Sequence, residues 1–279
     1  MVSGDGAART VDALGLGGEL LVWREALADG PVSIQPHGQD FYTARAAFLG
    51  TDIAALADQR AKLLSAIESG DEIVLWFGCD VFCQVILAAL ARGVVDAGLG
   101  AKRMTLVLPD GDSATCLDGD VDDFRGWHEK RVNIAPAELA ALAGLWDVYV
   151  AKDPTTLNSA TKGTALGFAH AAMQRALACH AKRFPDRFGL GIDERAILEA
   201  TSSADVSFGD VFRVFCRDRA ELGWGDVQAS SLVDRLASLP DPAIKKSGEL
   251  LSSTERGRQA LEGSRDLRAD GNDLERTLG

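Results

Sequence analysis

The segment from Ile73 to Leu108 limits the fold more than any other part of the chain. It opens on one apolar run, Ile73-Val74-Leu75-Trp76-Phe77, and closes on another, Met104-Thr105-Leu106-Val107-Leu108. Short apolar runs bounded by Gly, Pro or charge fit strands buried on both faces, as in parallel sheets. Between them Val81, Phe82, Val85, Ile86, Leu90 and Val94 recur at helical spacing. Strand, helix and strand within about thirty residues make a βαβ unit with a right-handed crossover. Leu20-Leu21-Val22-Trp23 adds another strand, and a short one at the extreme N-terminus precedes a helix over Ala7–Leu14. Helices over Tyr42–Leu49 and Asp52–Ser69 complete this part.

Farther on the pattern changes. Residues 110–133 are polar and acidic, with Asp110, Asp112, Asp118, Asp120, Asp122 and Asp123, and read as a surface connection. After Pro136 the chain reads as helices over Glu138–Val150, Thr164–Lys182 and Glu194–Thr201, with Asp193 as N-cap of the third. Val227–Leu239 forms an amphipathic helix, and Ile244–Ser252 a hairpin turning at Gly248. Ser252-Ser253-Thr254-Glu255 matches a capping box opening a helix to Leu261. The expected fold class is therefore α/β. An open, mainly parallel, Rossmann-like sheet domain covers 1–133. A helical, winged-helix-like C-terminal region covers 134–265, and a charged tail 266–279.

Composition narrows the function. The chain has 279 residues, 47% hydrophobic and 25% charged, an ordinary globular balance with length for two domains. A net charge of -12 and a pI near 4.8 argue against a broad basic face for nucleic-acid phosphates. The last sixty residues carry more acidic than basic side chains, which weakens a DNA-binding role for the C-terminal module. No apolar run approaches the roughly 20 residues needed to span a bilayer, so no membrane partner is expected. The start has neither the basic nor the apolar region of a secretory signal. The five cysteines, 79, 83, 116, 179 and 216, are odd in number and scattered. They argue for free thiols in a reducing cytoplasm rather than a disulfide framework.

In a parallel sheet the strand C-termini share one edge, and ligands bind there. The residues delivered to it are Gly4, Asp5 and Gly6, then Arg24 and Glu25, then Gly78, Cys79 and Asp80, then Pro109 and Asp110. Asp5, Glu25 and Asp80 would repel one another unless something positive lies between them. Arg24, Arg45, a magnesium-like cation or a substrate amine could serve. Alternatively one carboxyl has a raised pKa and acts as general acid or base. Asp5 and Asp80 could instead simply cap the helices that follow. Cys79, at a helix start, is the sharpest nucleophile candidate, since that position lowers a thiol pKa. The competing reading makes Cys79 and Cys83 small buried hydrophobes. Gly4-Asp5-Gly6 lacks the dinucleotide spacing, and Gly6 stands where an esterase of the Gly-Asp-Ser type has its serine. The sequence specifies no metal site and no cofactor. His37, His128, His170 and His180 have no ligand or triad spacing and read as surface or packing residues, and Trp23 and Trp76 as core. Lys245 and Lys246 in the hairpin could touch phosphate or simply be solvated.

Several blocks resemble a bacterial family catalogued as domain of unknown function 1835. They are Ser3-Gly4-Asp5, Trp23-Arg24-Glu25-Ala26-Leu27 with Gly30-Pro31, Arg45 with Phe48-Leu49, and Leu75-Trp76-Phe77 with Asp80 and Gln84. In the second half they are Arg183-Phe184-Pro185, Gly189-Leu190, Glu194-Arg195, Gly225-Asp226 and Thr254-Glu255-Arg256-Gly257. The resemblance implies the two-part layout but no activity. Gly78 and Cys79 stand where the family has Glu-His, and Cys83 where it has Asp.

Together these readings predict a small polar or nucleotide-like ligand at the carboxyl edge, held by Gly4, Asp5, Arg24, Arg45 and Gln84. If chemistry occurs, Asp80, Glu25 and Cys79 would carry it, in a transferase or hydrolase. The alternative is a non-enzymatic regulatory or scaffold protein whose winged-helix-like module binds protein or DNA.

Overall fold

Strand β1 (Val2–Ser3) lies between β2 (Val22–Trp23) and β3 (Ile73–Trp76) in the computed structural model, which describes residues 1–100, 103–109 and 119–268. Next comes β4 (Met104–Val107), and these four strands are parallel. A further strand, β5 (Val132–Asn133), runs antiparallel to β4. The architecture is thus mixed α/β with a five-stranded, mostly parallel sheet in the order β2-β1-β3-β4-β5.

Strand register sorts the side chains onto two faces. Val2 pairs with Val22 and with Trp76, whereas Ser3 pairs with Trp23. Val2, Trp76 and Val107 pack against α1 (Gly4–Ala13) and against Phe124 and Trp127 of α5 (Val121–Glu129). Helix α4 (Val81–Asp96) follows β3 as expected. Val81, Val85, Ile86, Leu90 and Val94 are all buried, and α4 makes its most extensive helix contact with α6 (Pro136–Val150). A helix covered on several sides has no need of a polar stripe, which explains its nearly continuous apolar sequence. Helices α2 (Gln39–Leu49), α3 (Ile53–Glu68) and α7 (Pro154–Ala160) complete this set.

Part of the 110–133 connection is ordered secondary structure instead. Asp120 accepts from the Asp122 and Asp123 amides at 2.8 and 3.0 Å, and Asp123 accepts from the Asp120 amide at 3.1 Å. Two of the supposed loop acids therefore form a capping box for α5, and Phe124 and Trp127 anchor that helix to the sheet. Asp110, Asp112, Cys116 and Asp118 lie outside the described residues. Helix α1 starts at Gly4, ahead of the expected Ala7. Helix α8 (Phe168–Ala181) starts later than the expected Thr164. The buried Glu138 carboxylate accepts the His170 amide at 3.1 Å, and a Cβ on Gly167 would lie 2.3 Å from Glu138 Oε1.

The chain divides into compact units between Ala178 and Cys179 rather than near residue 133. The α4–α6 packing ties the first helices of the second half to the sheet unit. The second unit contains α9 (Ile192–Ala200), β6 (Val206–Ser207), α10 (Phe208–Asp218) and α11 (Asp226–Ala237). The hairpin β7 (Ile244–Ser247) and β8 (Leu250–Ser253) follows, then α12 (Glu255–Leu261). Strand β6 pairs antiparallel with β8, giving a sheet ordered β6-β8-β7. The hairpin turns at Gly248, whose φ of 62° suits glycine. The cap of α12 is Thr254, which accepts the Gly257 amide at 3.2 Å, while Ser252 and Ser253 belong to β8.

Asp193 does not cap α9. Gly191 holds that position, and its amide donates to Glu194 at 3.0 Å. Asp193 is fully buried and pairs with the equally buried Arg183 at 3.2 Å, and Arg183 also lies 4.8 Å over the Trp224 ring. Removing one partner of a buried pair costs about 3–5 kcal/mol, whereas losing an exposed cap costs about 1 kcal/mol. Asp193→Ala is therefore expected to lower unfolding free energy by the larger amount in urea titrations. A loss near 1 kcal/mol would return Asp193 to a capping role.

Candidate functional site at the carboxyl edge

Strands β1 to β4 bring their C-terminal ends to one edge, and the chain leaves β1 toward β2 on one side but reaches β3 on the other. Gly4–Gly6, Arg24–Glu25 and Gly78–Asp80 follow the ends of β1, β2 and β3, while Asp110 lies outside the described residues. Their charges, however, are settled locally.

Asp5, in the first turn of α1, forms a two-pronged pair with Arg24 just after β2, with contacts of 2.7 to 3.0 Å. Arg24 holds the Asp5 carboxyl below its usual range, and both side chains are exposed. Asp5 is not the helix cap: Ser3 occupies that position, and its side chain makes no capping bond.

Glu25 is buried and faces Arg45 Nε at 3.3 Å. Burial raises its pKa, only partly offset by the Arg45 and Arg60 guanidiniums and the Trp23 indole. Arg45 itself is fully buried on α2 and reaches back over the loop that follows β2. Its Nη1 donates to the carbonyls of Asp29 at 2.6 Å and Pro31 at 3.2 Å, and its Nη2 to that of Ala26 at 2.9 Å. Other side chains fasten the same loop. The Tyr149 hydroxyl donates to Leu27 O at 2.9 Å, and Trp146 Nε1 to Ser33 O and Ile34 O at 3.1 and 3.0 Å. Gln59 accepts the Arg24 amide at 2.7 Å. Gly30 has a φ of 82°, and a Cβ there would lie 2.6 Å from the Phe48 ring and 2.8 Å from Arg45 Nη1. The Trp23–Pro31 block is thus a loop wound onto a guanidinium. Arg45, expected to bind ligand, holds backbone instead.

Asp80 is buried and caps α4, accepting the Cys83 amide at 2.8 Å. Gln84, also fully buried, donates from Nε2 to Gly78 O at 2.6 Å, while its Oε1 has no hydrogen-bond partner. The Ser3 hydroxyl is likewise buried without a well-formed hydrogen bond, although it lies against the Cys83 thiol. Burial pushes the Cys79 thiol up, and the neighbouring Arg175 does not reverse this. Cys83 is buried still more deeply and raised further. The acidic thiol expected at Cys79 is therefore not produced: the residue precedes the Asp80 cap of α4 rather than lying in the helix, and loss of hydration raises its thiol.

Asp5, Glu25 and Asp80 accordingly end on three different partners. Among the described residues, no group of three His, Cys, Asp or Glu side chains is placed to hold a metal ion. Trp23 and Trp76 are core residues, as expected, and His170 and His180 are buried. A groove of about 870 Å³ lies in the second unit, lined by Asp234, Asp241, Lys245, Lys246 and Arg256 among others. There Lys246 pairs with Asp234, and Arg256 with Asp241 at 3.4 Å.

Sequence reasoning gave no site role to Ser3, Arg175, Trp146 or Tyr149. Ser3 carried a signal, since it precedes the first glycine of the strand-to-helix turn. The others lie far along the chain from their contacts and carried none. Comparisons with protein families, with curated proteins and with solved structures find no match.

Two outcomes follow from this geometry. Ala at position 30 must adopt a positive φ, which costs at least about 1–2 kcal/mol, so Gly30→Ala should lower the unfolding free energy by that much or more. An unchanged stability would mean the loop is not held against Phe48 and Arg45. Glu25 contributes stability that is full below its ordinary pKa of 4.5 and is lost as pH rises through the raised folded value. The wild type should therefore lose stability relative to Glu25→Gln as pH climbs from 4.5 toward neutrality. Urea titrations across that range would contradict this if the difference stayed constant or changed the other way.

Proposed function

We propose that the first unit binds a small polar ligand at the carboxyl edge, between the ends of β1 and β3. The supporting observation is two buried oxygens without a well-formed hydrogen bond, Ser3 Oγ at the end of β1 and Gln84 Oε1 in the first turn of α4, which follows β3. Buried polar groups are nearly always satisfied, so two such oxygens beside neighbouring strand ends are groups that a bound molecule would satisfy. The position agrees with this reading. Strand order reverses between β1 and β3, and in open, Rossmann-like sheets ligands settle in the crevice at that point. Binding, rather than transfer or hydrolysis, fits the catalytic candidates: Asp80 serves α4, Glu25 serves Arg45, and the Cys79 thiol stays protonated. The free thiols Cys79, Cys83, Cys179 and Cys216 support a cytoplasmic setting. Kinship with domain of unknown function 1835 is proposed on the Trp23–Pro31 and Leu75–Gln84 blocks.

A thermal-shift screen of the full chain against nucleotides, amino acids, sugar phosphates and magnesium tests the reading. At least one organic compound should raise the melting temperature of the wild type. The shift should vanish in Ser3→Ala, whose own melting temperature should equal or exceed that of the wild type, because an unsatisfied hydroxyl is removed. A shift that survives Ser3→Ala would place binding elsewhere.

A second reading concerns the other unit. Its order α9-β6-α10-α11-β7-β8, with β6 pairing β8, supports a winged-helix-like reading. The exposed positions of α11 are Asp226, Val227, Ser231 and Asp234, none of them basic, and Lys246 of the wing is paired to Asp234. Such a surface suits a protein partner better than a phosphate backbone. Mobility-shift assays with duplex DNA should show no complex at physiological salt. Salt-sensitive retardation lost in Lys245→Ala/Lys246→Ala would overturn this.

A further inference from the structure

We infer that the ligand of this edge is a small oxyanion, a phosphate or a carboxylate, that also carries a hydrogen-bond donor. The inference rests on the binding site proposed above and names its ligand class.

The donors come first. The opening amides of a helix have no partner within it, and the Ser3 side chain supplies none to α1. Gly4 and Gly6 stand at that opening with nothing within 4 Å of where a Cβ would lie, so the backbone there is open to close approach. The Ser3 hydroxyl, set against the Cys83 thiol without a well-formed hydrogen bond, adds a further donor. Arg175 of α8, an exposed side chain in the same unit, lies beside Cys79 at the end of β3 and brings a positive charge. Nearby carboxylates do not compete for it in kind: Asp5 is neutralised by Arg24, Glu25 by Arg45, and Asp80 is spent on the Cys83 amide. Helix amides together with a guanidinium select oxygen anions and reject cations.

The acceptor is a separate observation. Gln84 is fully buried, its amide is fixed at the end of β3 by the bond to Gly78 O, and its Oε1 remains unpartnered. An oxyanion that presents only acceptors would leave that oxygen unsatisfied. One with a hydroxyl, an amine or a protonated oxygen satisfies it.

Titration calorimetry on the full chain separates the possibilities through two matched pairs. Inorganic phosphate near neutral pH carries an O–H, and sulfate does not. Glycolate carries a hydroxyl that acetate lacks. In at least one pair the donor-bearing member should bind about ten-fold more tightly, the value of one hydrogen bond to a buried group. Which pair binds identifies a phosphate or a carboxylate source. Gln84→Met should remove the discrimination, and Arg175→Gln, at an exposed position that leaves the fold intact, should weaken both members together. Equal affinity within each pair, or indifference to Arg175→Gln, would overturn the inference. Uracil or glycerol binding in a Ser3-dependent way while all four anions fail would overturn the inference but leave the site standing. No Ser3-dependent binding of any probe would overturn both.

Discussion

The loop after β2 depends on one buried guanidinium. Arg45 sits at full burial, with a carboxylate on one side and three backbone carbonyls on the other. Burying an arginine is costly unless its charge and its donors are answered. The loop after β2 answers them by turning the Ala26, Asp29 and Pro31 carbonyls inward. That demand accounts for much of the Trp23–Pro31 block: Glu25 supplies the counter-charge, and Gly30 makes the turn that brings the carbonyls into reach. Tyr149 and Trp146 of α6 then fix the same loop through its Leu27, Ser33 and Ile34 carbonyls.

This arrangement changes what the carboxyl edge has to offer. Three carboxylates gathered at strand ends suggested mutual repulsion and a need for a cation or a shared proton. Each instead has its own answer, in Arg24, in Arg45 and in the start of α4. What is left over is a set of donors at the start of α1, the exposed Arg175, and the buried amide oxygen of Gln84. The proposed ligand follows from that remainder rather than from the acids themselves.

The parallel strands and α4 were legible because apolar runs and helical spacing are local signals, and the hairpin at Gly248 was legible for the same reason. The α5 helix was hidden in the acidic stretch, although Phe124 and Trp127 at helical spacing and the Asp120–Asp123 pair were visible there. Polarity outvoted periodicity. Asp193 shows the opposite error: a residue type that favours caps was assigned one, when its partner Arg183 lay ten positions upstream and nothing local announced the pairing. At the site, the strand termini named the right residues but not their roles. The role of Arg45 depends on carbonyl oxygens, which every residue has and no sequence pattern displays. The buried thiols misled for a related reason, since a helix start is visible in sequence and the degree of burial is not.

Arg45 holds the loop after β2 in place, while the rest of the sheet stands without it. Thermolysin digestion of the full chain and of Arg45→Met, under conditions where circular dichroism shows both to be folded, tests this directly. The variant should be cut faster within residues 25–36, at sites such as Leu27 and Ile34, while β3 and α4 remain resistant. Cleavage of this loop at the wild-type rate would contradict it.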